Sequence, residues 1–451
     1  MLPREKTIIG WRFPMKQPGR LRTDMQMKPE SELVLEFCVE LSRRMIVSGA
    51  NLERVQLAVD RICHAYGLTD VSLFLLSGNI SLSAVDAEGR YAARQCTIPP
   101  AGIHLERLKK LNRLSYTVVS EKPEPQRLYR LLNEASQVRE YPDWAVLLGQ
   151  VAALSCLCLI FGGGLSEILP VALVTAVLHY VMILMAKPGL DRVVTNAATM
   201  WLATVAAILV MQTGISTNAP VILITISMLV IPGIPLVNAV RNLLCGNEMN
   251  GILQLAKVLI ETLALAMGIY LALWMFGLKE GMSHAVVTTL SDPILLVIIS
   301  FIASASFGVV FRIPLHDLWR AGLGGVLTRV ALLLLAPLSL NRLVYVSIAA
   351  LIAALYAELL ATLRKDPSTY FVYPSIVPLI PGDLFYYSLV GVYLGDVQMA
   401  ASNAQNCLLT LLGMSIGFVL SSIIAHYIRK ARHFKLTKHR KPGRPSWHWY
   451  I

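Results

Sequence analysis

Ile231-Pro232-Gly233-Ile234-Pro235-Leu236 and Ile380-Pro381-Gly382-Asp383-Leu384-Phe385 are two versions of one phrase, each near the middle of an apolar run long enough to cross a membrane. A Pro-Gly pair removes a backbone donor and relaxes the local dihedrals, so each run is expected to be a helix broken near its centre. In lipid, freed backbone groups are tolerated only where protein or a water-filled cavity covers them. Broken helices at matched places in two halves of a chain point to the binding site of a transporter.

Composition agrees with a membrane setting. The 451 residues are 55% hydrophobic and 15% charged, whereas soluble chains carry about 25% charged residues. The net charge of +12 invites a nucleic-acid reading. Much of the surplus, however, lies in short loops and a basic tail, so no nucleic-acid partner is expected. The seven cysteines form no CxxC pair and are read as buried free thiols. A metal site would want several Asp, Glu or His together, and no Walker A sequence occurs, so neither metal nor cofactor is expected.

Residues 1–30 are rich in proline and charge and read as a disordered lead without a secretory h-region. Residues 31–142 read as a small cytoplasmic α+β domain. Leu33, Phe37, Leu41 and Met45 recur at helical spacing, and a second helix starts near Asn51, a candidate N-cap. Val71–Leu76 and Ile80–Val85, joined at Ser77-Gly78-Asn79, give a β-hairpin signal. His104–Val119 and Pro125–Gln137 read as further helices. His64 and His104 have no spaced partners, and no nucleophile context is present, so the domain reads as a gate, regulatory or assembly module rather than an enzyme.

From Trp144 onward the apolar runs have spanning length. They are placed near 144–161, 168–186, 193–213, 219–240, 251–277, 286–310, 321–338, 343–363, 371–393 and 404–428. With a cytoplasmic front domain, the inside loops carry Lys187, Arg192, Arg241, Arg312, Arg320, Arg364 and Lys365, and the basic tail at 429–451 adds more. The outside loops hold only Lys279 and Arg342, which supports an even span count and two cytoplasmic termini. A shift of about 150 residues brings Asp143 onto Asp292, Leu165 to Glu167 onto Leu315 to Asp317, His179 onto Arg329, and Gly246-Asn247 onto Gly395-Asp396. The same shift brings Pro232-Gly233 onto Pro381-Gly382. A repeat of five crossings must be inserted upside down in its second copy. The expected fold is therefore mainly α, with about ten transmembrane helices as a 5+5 inverted repeat, one half at 143–280 and the other at 281–428.

Ionisable residues at membrane depth cost a few kcal/mol each and are functional candidates by default. Here they are His179, Lys257, Glu261, Arg329, Glu358 and Asp383. Lys257 and Glu261 can pair across one helical turn. Glu358, Asp383 and Glu261 are candidates for proton coupling. Arg329 could hold a substrate carboxylate or pair with Glu358 or Asp383. Pro232, Gly233, Pro235, Asn238, Asn242, Pro381, Gly382, Asp383, Arg329 and Tyr387 are the candidate substrate-binding set, since amides with hydroxyls suit a small polar or zwitterionic solute.

At these residues the chain resembles the threonine/serine exporter family of bacterial membrane proteins. The resemblance rests on Ser48-Gly49-Ala50 with Glu53-Arg54-Val55, on Val230–Arg241 with Gly246, and on Ala357-Glu358-Leu359-Leu360 with Val377–Gly382. It covers nearly all of 31–428. It implies a soluble N-terminal region, about ten spans in the plasma (inner) membrane, and efflux of threonine and serine driven by the proton motive force, with protons and the lipid bilayer as partners. Some members are split into two polypeptides, and split relatives are linked to dicarboxylate export, which makes dicarboxylate export the alternative. Asp383 departs from the pattern, standing where a small or hydroxyl residue is expected. Rivals from other classes are a membrane-embedded hydrolase with a catalytic front domain and a scaffold, for which paired breaks would have no purpose. A homo-oligomer is compatible with this design.

Overall fold

The computed structural model describes residues 29–76, 78–99, 102–185, 191–214, 218–278 and 292–437, the side chains of 192, 219 and 429–437 excepted. The expected disordered lead (up to residue 28), the half boundary near 280, Lys187, Lys279 and the basic tail charges lie outside that description. The described chain divides into two compact units.

The first unit runs to Asp143 and includes Phe311–Ile313. Helices α1 (Glu30–Val47) and α2 (Leu52–Ala65) are followed by β1 (Thr69–Leu76), β2 (Asn79–Val85) and β3 (Tyr91–Thr97), then by α3 (Leu105–Glu121) and α4 (Pro125–Ser136). The three strands form an antiparallel sheet in sequence order, so the expected hairpin gains a third strand. The central strand alternates cleanly, with Ile80, Leu82 and Ala84 fully buried. Leu33, Phe37, Leu41 and Met45 form the buried stripe of α1. The Asn51 side chain accepts the Arg54 N–H at 3.2 Å, which caps α2 as its sequence suggests.

His104 caps α3: its Nδ1 accepts the Arg107 N–H at 3.2 Å. Its Nε2 lies 3.6 Å from Glu140, which also takes Arg107 at 3.0 Å. Burial pushes the His104 imidazole below its usual value, and the neighbouring His104 ring holds the Glu140 carboxyl below the usual carboxylate range. Phe311–Ile313 is fastened here by three hydrogen bonds: Leu105 N–H to the Phe311 carbonyl at 3.0 Å, Tyr141 O–H to the Ile313 carbonyl at 2.7 Å, and Arg312 Nη1 to the Tyr141 carbonyl at 3.2 Å.

The second unit is helical. Its elements are α5 (Asp143–Ile160), α6 (Leu165–Met185), α7 (Arg192–Gln212), α8 (Ala219–Val230), α9 (Gly233–Leu244), α10 (Glu248–Met275), α11 (Pro293–Val310), α12 (Leu318–Leu335), α13 (Arg342–Arg364), α14 (Thr369–Ser375), α15 (Gly382–Leu394) and α16 (Val397–Thr437). Among the described residues, nine helical stretches are long and apolar enough to span a membrane, and the bent pair α8–α9 makes up to ten. The helices associate through small residues, as expected where lipid removes the hydrophobic drive. Gly413 and Gly417 on α16 let its backbone approach α13, where a Cβ on Gly417 would sit 2.6 Å from the Ser347 carbonyl. The facing surface of α13 is Ala349, Ala350, Ala353 and Ala354, all buried. α9 joins the same core through Leu236, Val237 and Val240 packed with Met414 and Phe418 of α16.

Candidate functional site

The two breaks share one backbone path. Ile231 and Pro232 have φ/ψ of −60/125 and −77/59. Ile380 and Pro381 have −62/120 and −82/54. In each, the glycine N–H bonds the carbonyl two residues back: Gly233 to Ile231 at 2.8 Å and Gly382 to Ile380 at 2.9 Å. That is an inverse γ-turn centred on proline. The likeness continues downstream. Leu236 N–H reaches the Pro232 carbonyl at 3.0 Å and Phe385 N–H the Pro381 carbonyl at 3.1 Å, and both segments end at a glycine of positive φ, Gly246 at 81° and Gly395 at 74°. It also holds upstream: His179 Nδ1 lies 2.8 Å from Gln150 Oε1, and Arg329 Nε donates to Ser300 Oγ at 2.9 Å, a matched pair of bonds between matched helices.

The breaks also touch. A Cβ on Gly233 would stand 2.7 Å from Ile380 Cγ2, and one on Gly382 would meet Met228 Sδ. Each glycine is therefore the seat of a side chain from the other broken span. α8–α9 turns by 59° at its break. The second break is longer: α14 is followed by a 3-10 turn at Val377–Leu379 before the proline and α15.

A cavity of about 30 Å³, lined by both polar and apolar side chains, opens beyond the first break, between α9, α13, α14 and α16. Its wall includes Asn238 and Arg241 from the first half of the chain and Glu358, Thr369, Tyr373 and Ser421 from the second. Asn238 Nδ2 donates to Tyr373 Oη at 3.2 Å, and Arg241 Nη2 to Ser422 Oγ at 3.3 Å. The Thr369 and Ser421 hydroxyls are buried without a hydrogen-bond partner among the described residues. Buried hydroxyls normally find partners, and these two belong to residues of the cavity wall. The volume admits a water or two. At the opposite ends of α10 and α15, Tyr270 stacks on Tyr393 with ring centroids 5.0 Å apart and donates its hydroxyl to the Leu389 carbonyl.

The residues expected from the sequence are thus spread over several places. Pro232, Gly233, Pro235, Pro381 and Gly382 form the paired breaks. Asn238 and Glu358 line the cavity. Asn242 instead ties α9 to α10 through Gln254 Oε1 at 3.1 Å. Asp383 lies in the first turn of α15, where the helix N-terminus favours a carboxylate. It is outside the cavity wall, as are Tyr387, which packs edge-on against Tyr386, and Glu261, buried on α10. Lys257, one turn from Glu261, is exposed. Arg329 faces α11 through Ser300, not Glu358 or Asp383. Arg241, counted from the sequence as a loop charge, belongs to α9 and stands in the cavity wall. Its spacing from Asn238, three residues along one helix face, was the available signal. Among the described residues no cluster of three His, Cys, Asp or Glu could hold a metal.

Comparison with known proteins bears on these features. Residues 36–276 match a family model, ThrE, described as a threonine/serine exporter, and residues 296–424 match a second, "Threonine/Serine exporter, ThrE". The chain is 22% identical over 254 residues to "Probable succinate transporter subunit YjjP" of Klebsiella aerogenes, covering 56% of this chain and 97% of that protein. It is 23% identical over 251 residues to the protein of the same name from Escherichia coli strain K12, covering 55% of this chain and 97% of that protein. No solved structure matches.

Proposed function

Because the chain belongs to the threonine/serine exporter family, we propose that it is a secondary active transporter exporting threonine- and serine-like amino acids across the plasma membrane, driven by the proton motive force. The observation that carries this reading is the pair of like-shaped breaks seated on one another beside a cavity whose wall draws on both halves. Interrupted helices meeting near the middle of a bundle supply both a site and a hinge.

The crossing count supports ten spans. Asp143 and Phe311–Ile313 belong to one compact unit, so an even number of crossings separates them. Five helices in that interval span on their own, α5, α6, α7, α10 and α11, and the bent pair α8–α9 supplies the sixth. Five crossings per repeat then place the second copy upside down, the inverted arrangement in which a rocking of one half on the other exposes the site alternately. By the same count, Arg241 near the end of α9 and Glu358 near the end of α13 lie toward the side of Asp143. The bias of Lys and Arg makes that side, and both termini, cytoplasmic. An exporter loads from there, and the Tyr270–Tyr393 stack lies toward the far end. Glu358, Asp383 and Glu261 are the carboxylates available for proton coupling.

Dicarboxylate export is the second reading, favoured by the printed name of the YjjP relatives. Cells loaded with a threonine-containing dipeptide separate the two. Faster appearance of extracellular threonine in expressing than in deleted cells is expected. No difference for threonine and serine, with a difference for succinate, would transfer the assignment. No difference for all three would remove the exporter reading.

A further inference from the structure

We propose that the cavity beside the first break is a zwitterion site in which Arg241 holds the substrate α-carboxylate, Glu358 its ammonium, and the Thr369 and Ser421 hydroxyls its remaining polar atoms. The inference rests on the exporter reading and names the site that reading leaves open. One guanidinium and one carboxylate stand in a single small wall, contributed by α9 and α13 from different halves. An amino acid carries that pair of charges in mirror order. Arg offers a planar fork suited to a carboxylate, and Glu358 offers acceptors only, suited to an ammonium. The two partnerless hydroxyls supply what a free amino acid with a hydroxyl side chain would otherwise find in water.

The same wall selects against the alternative substrate. A dicarboxylate would place its second negative charge against Glu358, where like-charge repulsion opposes binding. The cavity must also grow, since about 30 Å³ holds no amino acid. Arg241 sits on the short helix that starts at the Pro232 turn, so swinging α9 about that turn enlarges the space while carrying the carboxylate-binding group with it.

The test uses the full chain, purified and reconstituted in liposomes preloaded with labelled threonine, serine or succinate. For the wild type, threonine and serine flux above protein-free liposomes is expected. Arg241→Gln and Glu358→Gln should each lower threonine flux at least tenfold, and Glu358→Gln should raise the succinate-to-threonine flux ratio. Thr369→Val and Ser421→Ala, milder changes in volume, should raise the KM for threonine several-fold with kcat little changed and with thermal unfolding in detergent unaltered. They keep the proposal testable if the charge variants fail to fold. Threonine flux in the wild type with unchanged flux in all four variants overturns this site and leaves the exporter reading standing. Succinate flux without threonine or serine flux in the wild type overturns both.

Discussion

Replacing Gly233 by alanine tests whether the two breaks are seated on each other. The new Cβ would stand 2.7 Å from Ile380 Cγ2, whereas carbon pairs settle at about 3.5–4.0 Å. An opening of about 1 Å is therefore required. Cγ2 is fixed directly to a β-branched carbon with few χ1 choices, so it cannot simply swing aside. Overpacking of this kind costs about 1–3 kcal/mol. Ile380→Ala removes the obstructing atom, so Gly233→Ala should be close to neutral in that background. The two changes should then show a coupling of about 1–3 kcal/mol. The assay is reversible denaturant unfolding of the four full-length proteins in one detergent. Additivity within about 0.5 kcal/mol would refute the reasoning, because sites out of contact add to that degree. Gly382→Ala is a useful contrast. Its Cβ runs into Met228, a flexible side chain, and should cost less than Gly233→Ala although the initial overlap is larger.

Gly417→Val should lower the thermal unfolding temperature in detergent, since the branched side chain runs into the Ser347 carbonyl and Ala350 Cβ of α13; about 1–3 kcal/mol is expected, and an unchanged transition would mean that the helices do not cross there. His104 carries a pH dependence. Its folded value lies below the unfolded value near 6.5, so the unfolded chain takes up a proton first, and stability falls as pH drops below about 6.5 until the folded value is reached. His104→Asn keeps a good capping acceptor without titrating, so the variant should lose less stability than the wild type between pH 7 and 5, and equal losses would contradict the assignment. Glu140, held low, adds its own loss only at more acidic pH.

The sequence made much of this architecture legible because the lipid imposes a strong code. Spanning runs and Pro-Gly breaks leave marks that need no partner to read. What escaped depended on partners. β3, Tyr91–Thr97, was missed because one of its inward positions is Arg94, which breaks the apolar alternation and is satisfied by Glu32 of α1 at 2.5 Å. Arg241 was counted as a loop charge since it ends an apolar run. Only the continuation of α9 to Leu244, and the approach of α13 and α16, turn it inward. Asp383, expected at the site from its place after the break, stands in the first turn of α15 and outside the cavity wall.

The lodging of Phe311–Ile313 in the front unit has a consequence for how this polypeptide can be cut. Excising the front unit would do more than remove an appendage. It would strip three hydrogen bonds from the link between α11 and α12 and loosen two crossings that the excision never touched. Severing the chain between Leu278 and Asp292 would be gentler, because the C-terminal fragment would still own the segment that the N-terminal fragment grips. Two co-expressed pieces would carry a non-covalent clasp of their own.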